Sequence, residues 1–443
     1  MLNKIINRAL ELGFDDVEIV ENSSSEVSIS IFKGNIEKNF VGSDKSYVLK
    51  GLINGKMAIE YFQKNEEDLS DKEIDNLILK LKENILCLTT NEVSFIYEGS
   101  ESYPEVEKVE SGCDLVKTQD KIKMLKELEK KAYEASEKIE LVDTCTYMEE
   151  KTAVRMVNSK GLSLSKSNEY CGLVLSAIAG ESKDNPNKQS GFNVAIKNKY
   201  ADLDASKVAQ KATKEALDMI GAEPVESKMY KVIIDKDVMT SLLSGFFSIF
   251  TGEAVLRKLT SLTDKLGEKI MSEKITIIDD PLNKDAFVKD PFDSEGVATY
   301  TKEVVSEGVF KTFLHNLKTA NQLNTKTTGN ASTSGVRPMN FHIKNGDTSK
   351  DDMIASLDEG LLITSLQGLH ASLNPISGDF SGQASGFLIE KGKIVRPVTL
   401  IVLSGNFLKM MNDVDKVGND LEIEYTGFGS PTIMFGMMPI SGK

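Results

Sequence analysis

The stretch SEVSISIFKG, residues 25–34, alternates without a break: Val27, Ile29 and Ile31 fall on one side, Ser28 and Ser30 on the other. Successive side chains of an extended chain point to opposite faces, so this pattern makes a strand with one buried face. Such a strand suits an antiparallel or mixed sheet covered on one side. Neither half of the sequence shows the regular strand–helix–strand alternation of a doubly wound parallel fold. The reading is α+β, with mixed or antiparallel sheets, flanking helices and a strand-rich C-terminal half.

Other elements fit around that strand. Residues 2–12 carry Ile5, Ile6, Ala9 and Leu12 at helical spacing and stop at Gly13. Asn54–Gly55 between two apolar runs predicts a tight hairpin. Ser70 and Glu73 form a capping box ahead of the stripe Ile74, Leu77, Ile78, Leu81, Ile85. NEVSFIYEGSESYPEVEKVESGCD, from Asn91, is acidic and turn-rich and reads as a connection. A helix with Ile122, Leu125, Leu128, Ala132 and Ala135 follows. Strands come next across 139–180, with a turn at Asn158–Gly161, and then a helix from Asp204 to Ile220.

In GAEPVESKMY, residues 221–230, Gly221 ends that helix and Pro224 prevents its continuation. The boundary is therefore expected between an N-terminal domain, 1–222, and a C-terminal domain, 223–443. The first admits a further division into about 1–100 and 101–222. KVIID opens the second as a buried strand, and one helix is expected over 237–258. Beyond residue 270 short strands dominate, with hairpin turns at SEGVF and EKGKIV.

With 53 basic against 67 acidic residues, the 443-residue chain has a net charge of −14. That balance opposes nonspecific binding to a phosphate backbone, and no run of Lys and Arg is interleaved with aromatics. The first residues are amphipathic rather than a continuous apolar run, so they do not read as a signal peptide. No stretch approaches the roughly 20 apolar residues of a membrane span. A cytoplasmic protein is expected, with Cys87, Cys113, Cys145 and Cys171 reduced and mostly buried.

Most catalytic signatures are missing. No GxSxG elbow, phosphate-binding loop or dinucleotide fingerprint occurs. Ser381 and Ser385 sit among glycines without a nearby base and read as strand ends. The three histidines, His315, His342 and His370, lie in separate elements. A hydrolytic zinc centre needs about three protein ligands and an open position. FTGEAVLRKL, 250–259, has Glu253 where a zinc peptidase keeps its base, but no histidine. From the residues alone, Glu253 reads as a carboxylate near a helix start or on its solvated face rather than as a catalytic base, since without the ion it has no activated water to act on.

Six segments, taken in order and spacing, carry a resemblance: SISIFKGNIEKN, FTGEAVLRKLTSLTDKLGEKI, DPFDSEGVATYTKEVVSEGVFKTFLHNLKTANQL, TTGNAS, NPISGDFSGQASGFLIEKGKIVRPV and VGNDLE with GSPTIMFG. Together they are similar to the TldD/PmbA family, also labelled modulators of DNA gyrase, over nearly all of the chain. The likeness is to the PmbA, or TldE, branch. In the TldD branch an HExxxH motif supplies zinc ligands and the catalytic glutamate, and a cysteine near the C-terminus is a further ligand. Here Glu253 matches the glutamate, while Gly252 and Arg257 stand in place of the two histidines. Glycine offers no ligand and arginine repels a cation. Every cysteine precedes residue 172.

The resemblance implies a chain with no catalytic residue, metal or cofactor of its own. Zinc is expected in a TldD-type partner subunit. The pair encloses a chamber that admits unfolded peptides, for proteolysis or for maturation of peptide precursors, with no direct contact to nucleic acid or membrane. A homodimer is expected in isolation. A peptide can be held by main-chain hydrogen bonds to a strand edge, which makes Glu253 and the segment Asp379, Phe380, Ser381 and Gly382 candidates for the chamber wall. Two other readings remain: a homodimeric peptide-binding protein without a protease partner, and an independent metallopeptidase with a divergent site.

Overall fold

Helix α1 (Leu2–Glu11) turns Leu2, Ile5, Ile6 and Ala9 inward at helical spacing. The computed structural model, which describes residues 1–63, 69–89, 93–181 and 187–443, runs on from there into a long sheet. Its strands are β1 (Asp16–Phe32), β2 (Asn35–Ile53), β3 (Lys56–Phe62), β4 (Ile139–Asn158), β5 (Ser163–Ala179) and β6 (Gln189–Lys197). All neighbours are antiparallel, in the order β3-β2-β1-β4-β5-β6, so one sheet spans both parts of the first half. The alternating stretch is the outer part of β1, which is longer than the pattern suggested. Asn54 and Gly55, at φ 50° and 74°, form the two-residue turn between Ile53 and Lys56.

Period-two geometry gives this sheet two different faces. Val17, Ile19, Ile29 and Ile31 of β1 point to the helices. On that side lie α1, α2 (Asp71–Leu86), α3 (Thr118–Glu134) and α4 (Ala205–Asp218). The box at Ser70 and Glu73 closes as read, with both reciprocal bonds made, and Asp204 caps α4. Val20 and Asn22 point the other way, into a cavity shared with the second half. Residues 93–110 carry no helix or strand; the first two residues of that connection, 91–92, lie outside the described residues.

The second half is built on a mixed sheet. Strand β7 (Lys228–Ile234) pairs in parallel with Glu359–Gln367 and antiparallel with Ile433–Ser441. The order is Lys393–Asn406, Asp379–Glu390, Glu359–Gln367, β7, Ile433–Ser441, Val414–Val417. β7 starts inside the stretch read as linker. A second sheet of short strands includes Ile277–Asp279, Lys302–Ser306, Phe341–Ile343 and Phe428–Ser430. Helix α5 (Lys236–Phe246) fills the space between with Val238, Leu242 and Phe246. The turns read in SEGVF and EKGKIV are present at Glu307–Gly308 and Lys391–Gly392. The α+β reading holds.

One helix does not form as expected. In place of a single helix over 237–258, α5 ends at Phe246, a 3₁₀ turn covers Phe247–Phe250, Thr251 is extended, and a short helix α6 spans Gly252–Arg257. Two contacts of Thr251 cause the break, one distant in sequence and one local. Thr251 pairs with Leu314 in a β-bridge, and its Oγ1 accepts the N–H of Ala254 at 3.2 Å, starting a new helix.

The first half grips one loop of the second. Tyr103 donates to the carbonyl of Gly296 at 2.8 Å, and Ala298 N–H donates to Ser100 Oγ at 2.9 Å. Asn198 donates to the carbonyl of Phe287 at 3.1 Å, and Lys166 pairs with Asp290 at 2.7 Å. All four cysteines are free, and Cys113, Cys145 and Cys171 are buried. Among the described residues no helix is long and apolar enough to cross a membrane.

Candidate functional site

Helix α6 brings Glu253 and Arg257 into the lining of a cavity of about 590 Å³, while Gly252 at its start is buried. Gly252 donates its N–H to the carbonyl of Leu314 at 2.8 Å, which draws its Cα onto the segment that continues into His315. The imidazole of His315 lies directly over it. A Cβ on residue 252 would stand 2.3 Å from His315 Nδ1 and 2.6 Å from its Cε1, closer than real Cβ contacts. Any side chain at 252 therefore meets an occupied volume.

His315 is fixed in that place. It is buried, its backbone N–H donates to Thr328 Oγ1 at 2.6 Å, and its ring Nδ1 lies 3.3 Å from Thr319 Oγ1. Burial pushes its pKa down to about 4, so the ring is neutral near pH 7. His342 is buried elsewhere with Nδ1 2.7 Å from the carbonyl of Asn340, and His370 is exposed on Leu369–Ser372. Among the described residues no three His, Cys, Asp or Glu side chains group so as to hold a metal ion. The residues at 252–257 do not fit a catalytic zinc: one position is filled by His315 and the other is a cation.

Glu253 sits at the cavity rim, 41% exposed, with Arg257 Nη1 3.5 Å from its Oε1 and Arg257 itself 67% exposed. Water screens such a pair, so it contributes under about 1 kcal/mol. The other oxygen faces the hairpin Ala331–Ser332/Gly335–Val336: a Cβ on Gly335 would lie 2.6 Å from Oε2. Phe247, Val336, Ile376 and Phe428 supply apolar wall, and Arg337 closes one side. Arg337 also lines a second cavity, of about 580 Å³, between the face of the first sheet turned away from its helices and the loops of the second half.

Asp379, Phe380, Ser381 and Gly382 are not in the lining of the cavity beside Glu253. They begin a strand paired on one side with 393–406 and on the other, from Gln383 onward, with 359–367. Phe380 is buried against Phe246 at 6.4 Å between ring centres. Ser381 Oγ lies 2.8 Å from Ser404 Oγ, and a Cβ on Gly382 would meet Leu366 at 2.7 Å. Asp379 accepts from Asn406 at 2.9 Å, which holds its carboxyl below the usual range. The lining residues Pro375 and Ile376 come just before this strand. Sequence reasoning missed Arg337 and its hairpin, although the small polar run STSG, 332–335, carried a turn signal.

Glu295, on the wall of the second cavity, is electrostatically unusual. Burial pushes its carboxyl up to about 7, Asp293 adds to the rise, and the N–H of Leu317, at 2.8 Å, opposes it. The folded chain holds a proton that the unfolded chain releases near pH 4.5. The stability contribution is thus full below pH 4.5 and is lost as pH rises to about 7. Glu295→Gln keeps an acceptor for Leu317 and is expected to flatten this dependence. Between pH 4.5 and 8 the wild-type chain should lose about 3 kcal/mol more than the variant. Denaturant midpoints across that range check it, and parallel pH profiles would contradict it.

Comparison with known proteins adds the context. Residues 113–220 match the PmbA/TldA metallopeptidase central domain, and residues 227–442 match the PmbA/TldA metallopeptidase C-terminal domain. A metalloprotease PmbA homolog of Buchnera aphidicola is 30% identical over 241 residues, 54% of this chain and 53% of the relative. The chain thus spans about half the length of that curated relative. A crystal structure from Thermotoga maritima, carrying the name modulator of a DNA gyrase, superposes with a TM-score of 0.90 at 27% identity, covering 99% of both chains. The TldE structure from Thermococcus kodakarensis, at 22% identity and TM-score 0.89 over 99% of both chains, shares the fold.

Proposed function

This chain belongs to the PmbA/TldD metallopeptidase family, and we propose that it is the subunit without a zinc site of its own, of the TldE kind. On this reading it works beside a TldD-type zinc subunit, in the cytoplasm, on unfolded peptides that the pair matures or degrades. One observation carries the proposal: the volume a ligand at 252 would need is taken by the ring of His315. Arg257 in the second position supports it, because a fixed positive charge opposes a cation. Residues 1–222 and 223–443 are kept as two domains, the second bearing the emptied motif. The cavity beside Glu253 is the wall this chain gives to the shared chamber, with Asp379–Gly382 in the sheet behind it.

The test is hydrolysis of an unstructured peptide by the purified chain, alone and mixed with an HExxxH-containing paralogue from the same genome. Each sample is run with and without a chelator. Cleavage is expected only in the mixture and only without chelator, at a rate above that of the paralogue alone. Chelator-sensitive cleavage by this chain alone would overturn the reading, as would a paralogue whose activity is indifferent to it.

A further inference from the structure

The cavity beside Glu253 carries a charge opposite to that of the chain. Its charged lining residues are Glu253, Arg257 and Arg337, two cations against one carboxylate, in a protein of net charge −14. The two arginines are not equivalent. Arg257 already leans on Glu253. Arg337 has no carboxylate partner among the described residues: its Nη2 donates to the carbonyl of Thr426 at 3.2 Å, and its guanidinium stands 5.8 Å from the centre of the Phe428 ring. Most of its five donors are uncommitted.

Its backbone, in contrast, is tightly held. Arg337 N–H donates to the carbonyl of Asn330 at 2.9 Å, and Asn330 Nδ2 returns a bond to the Arg337 carbonyl at 3.2 Å. Asn330 is fully buried and also donates to Asp279 at 2.8 Å. The held backbone fixes where the side chain starts, and the planar fork matches a carboxylate with two parallel bonds, which lowers the entropy lost per bond formed. Around it stand Phe247, Val336, Ile376 and Phe428, which suit the apolar side chain of a ligand that ends in a negative group.

We propose that this cavity binds the carboxylate of a peptide, with Arg337 as the main anchor and Arg257 as a second cation. It deepens the reading of this chain as a peptide-handling subunit and rests on that reading. Apolar walls favour an amphipathic peptide end over inorganic phosphate. Because Arg337 also faces the second cavity, a peptide anchored there can continue between the two halves of the molecule.

The test measures binding, not cleavage, so it separates from the hydrolysis experiment: the anchor can fail while the subunit role stands, and the reverse. Short labelled peptides without acidic side chains, ending in leucine, are titrated with the full chain by fluorescence anisotropy, as the free acid and as the C-terminal amide. A third peptide, amidated, carries one internal glutamate. The free acid is expected to bind roughly tenfold more tightly than the amide. Arg337→Gln should shrink that ratio to about twofold or less, and Arg337→Lys should keep part of it. Arg257→Gln should have the smaller effect. Tighter binding of the glutamate peptide than of the plain amide would place a side-chain carboxylate in the same anchor. Equal affinity for all three peptides, no binding of any, or an acid-to-amide ratio unchanged in Arg337→Gln of normal melting temperature would overturn the proposal. Competition by inorganic phosphate as strong as by the acid peptide would also overturn it.

Discussion

Lys302→Met is expected to cost about 3–5 kcal/mol of folding free energy, the usual penalty for stripping one partner from a buried ion pair. Lys302 Nζ lies 2.7 Å from Asp279 Oδ2, with side-chain exposures of 6% and 0%. Without the lysine, Asp279 keeps the side-chain amide of Asn330 at 2.8 Å and the N–H of Met339 at 2.5 Å, which do not neutralise its charge. The effect extends to the site through Asn330, which brackets Arg337 and accepts from Thr328 Oγ1 at 2.8 Å. Thr328 in turn receives the N–H of His315. Denaturation midpoints give the loss. Adding Asp279→Asn should recover part of it, since the pair then leaves no lone charge behind. A loss below about 1 kcal/mol for the single variant would mean the pair is not the anchor described.

The second large effect concerns the emptied motif. Gly252→His with Arg257→His restores HExxxH on paper, but no zinc binding is expected and stability should fall by about 3 kcal/mol. The cause is steric: already a Cβ at 252 lies 2.3 Å from His315 Nδ1, and an imidazole needs far more room. Gly252→Ala is the milder probe of the same contact. In a His315→Ala background its cost should drop, with a coupling of about 1–3 kcal/mol in a double-mutant cycle. Stoichiometric zinc in the two-histidine variant, or additive costs for the pair 252 and 315, would contradict this account.

What the sequence disclosed follows the range of the interactions involved. The hairpins at Asn54–Gly55, Glu307–Gly308 and Lys391–Gly392, the capping box at Ser70 and the inward faces of α1 and β1 are set within a few residues, and all were legible. The break at Thr251 was not. LLSGFFSIF keeps a helical pattern, with Ser244 and Ser248 four residues apart on one side, so nothing in it marks the break, and the bridge that extends Thr251 comes from Leu314. The site was legible only in part for the same reason. Gly252, Glu253 and Arg257 stood out against a resemblance, whereas His315, Gly335 and Arg337 reach them by tertiary packing. The segment Asp379–Gly382 reads as strand ends among small residues and, through the resemblance, as a candidate chamber wall; its small residues do serve the close approach of neighbouring strands, and the segment lies outside the lining of the cavity beside Glu253.

The grip of the first half on residues 287–298 bears on how the molecule is made. A chain leaves the ribosome from its N-terminus at about 5–20 residues per second. Ser100, Tyr103, Lys166 and Asn198 have therefore all been synthesised before Phe287, Asp290, Gly296 and Ala298 appear. The sheet can be waiting as a template when that loop emerges. The loop carries Glu295, which holds the N–H of Leu317 at the start of the short helix Leu317–Gln322, and Thr319 of that helix stands beside the ring of His315. The order of synthesis thus lets an early-made surface shape the backing of a site whose own residues come later.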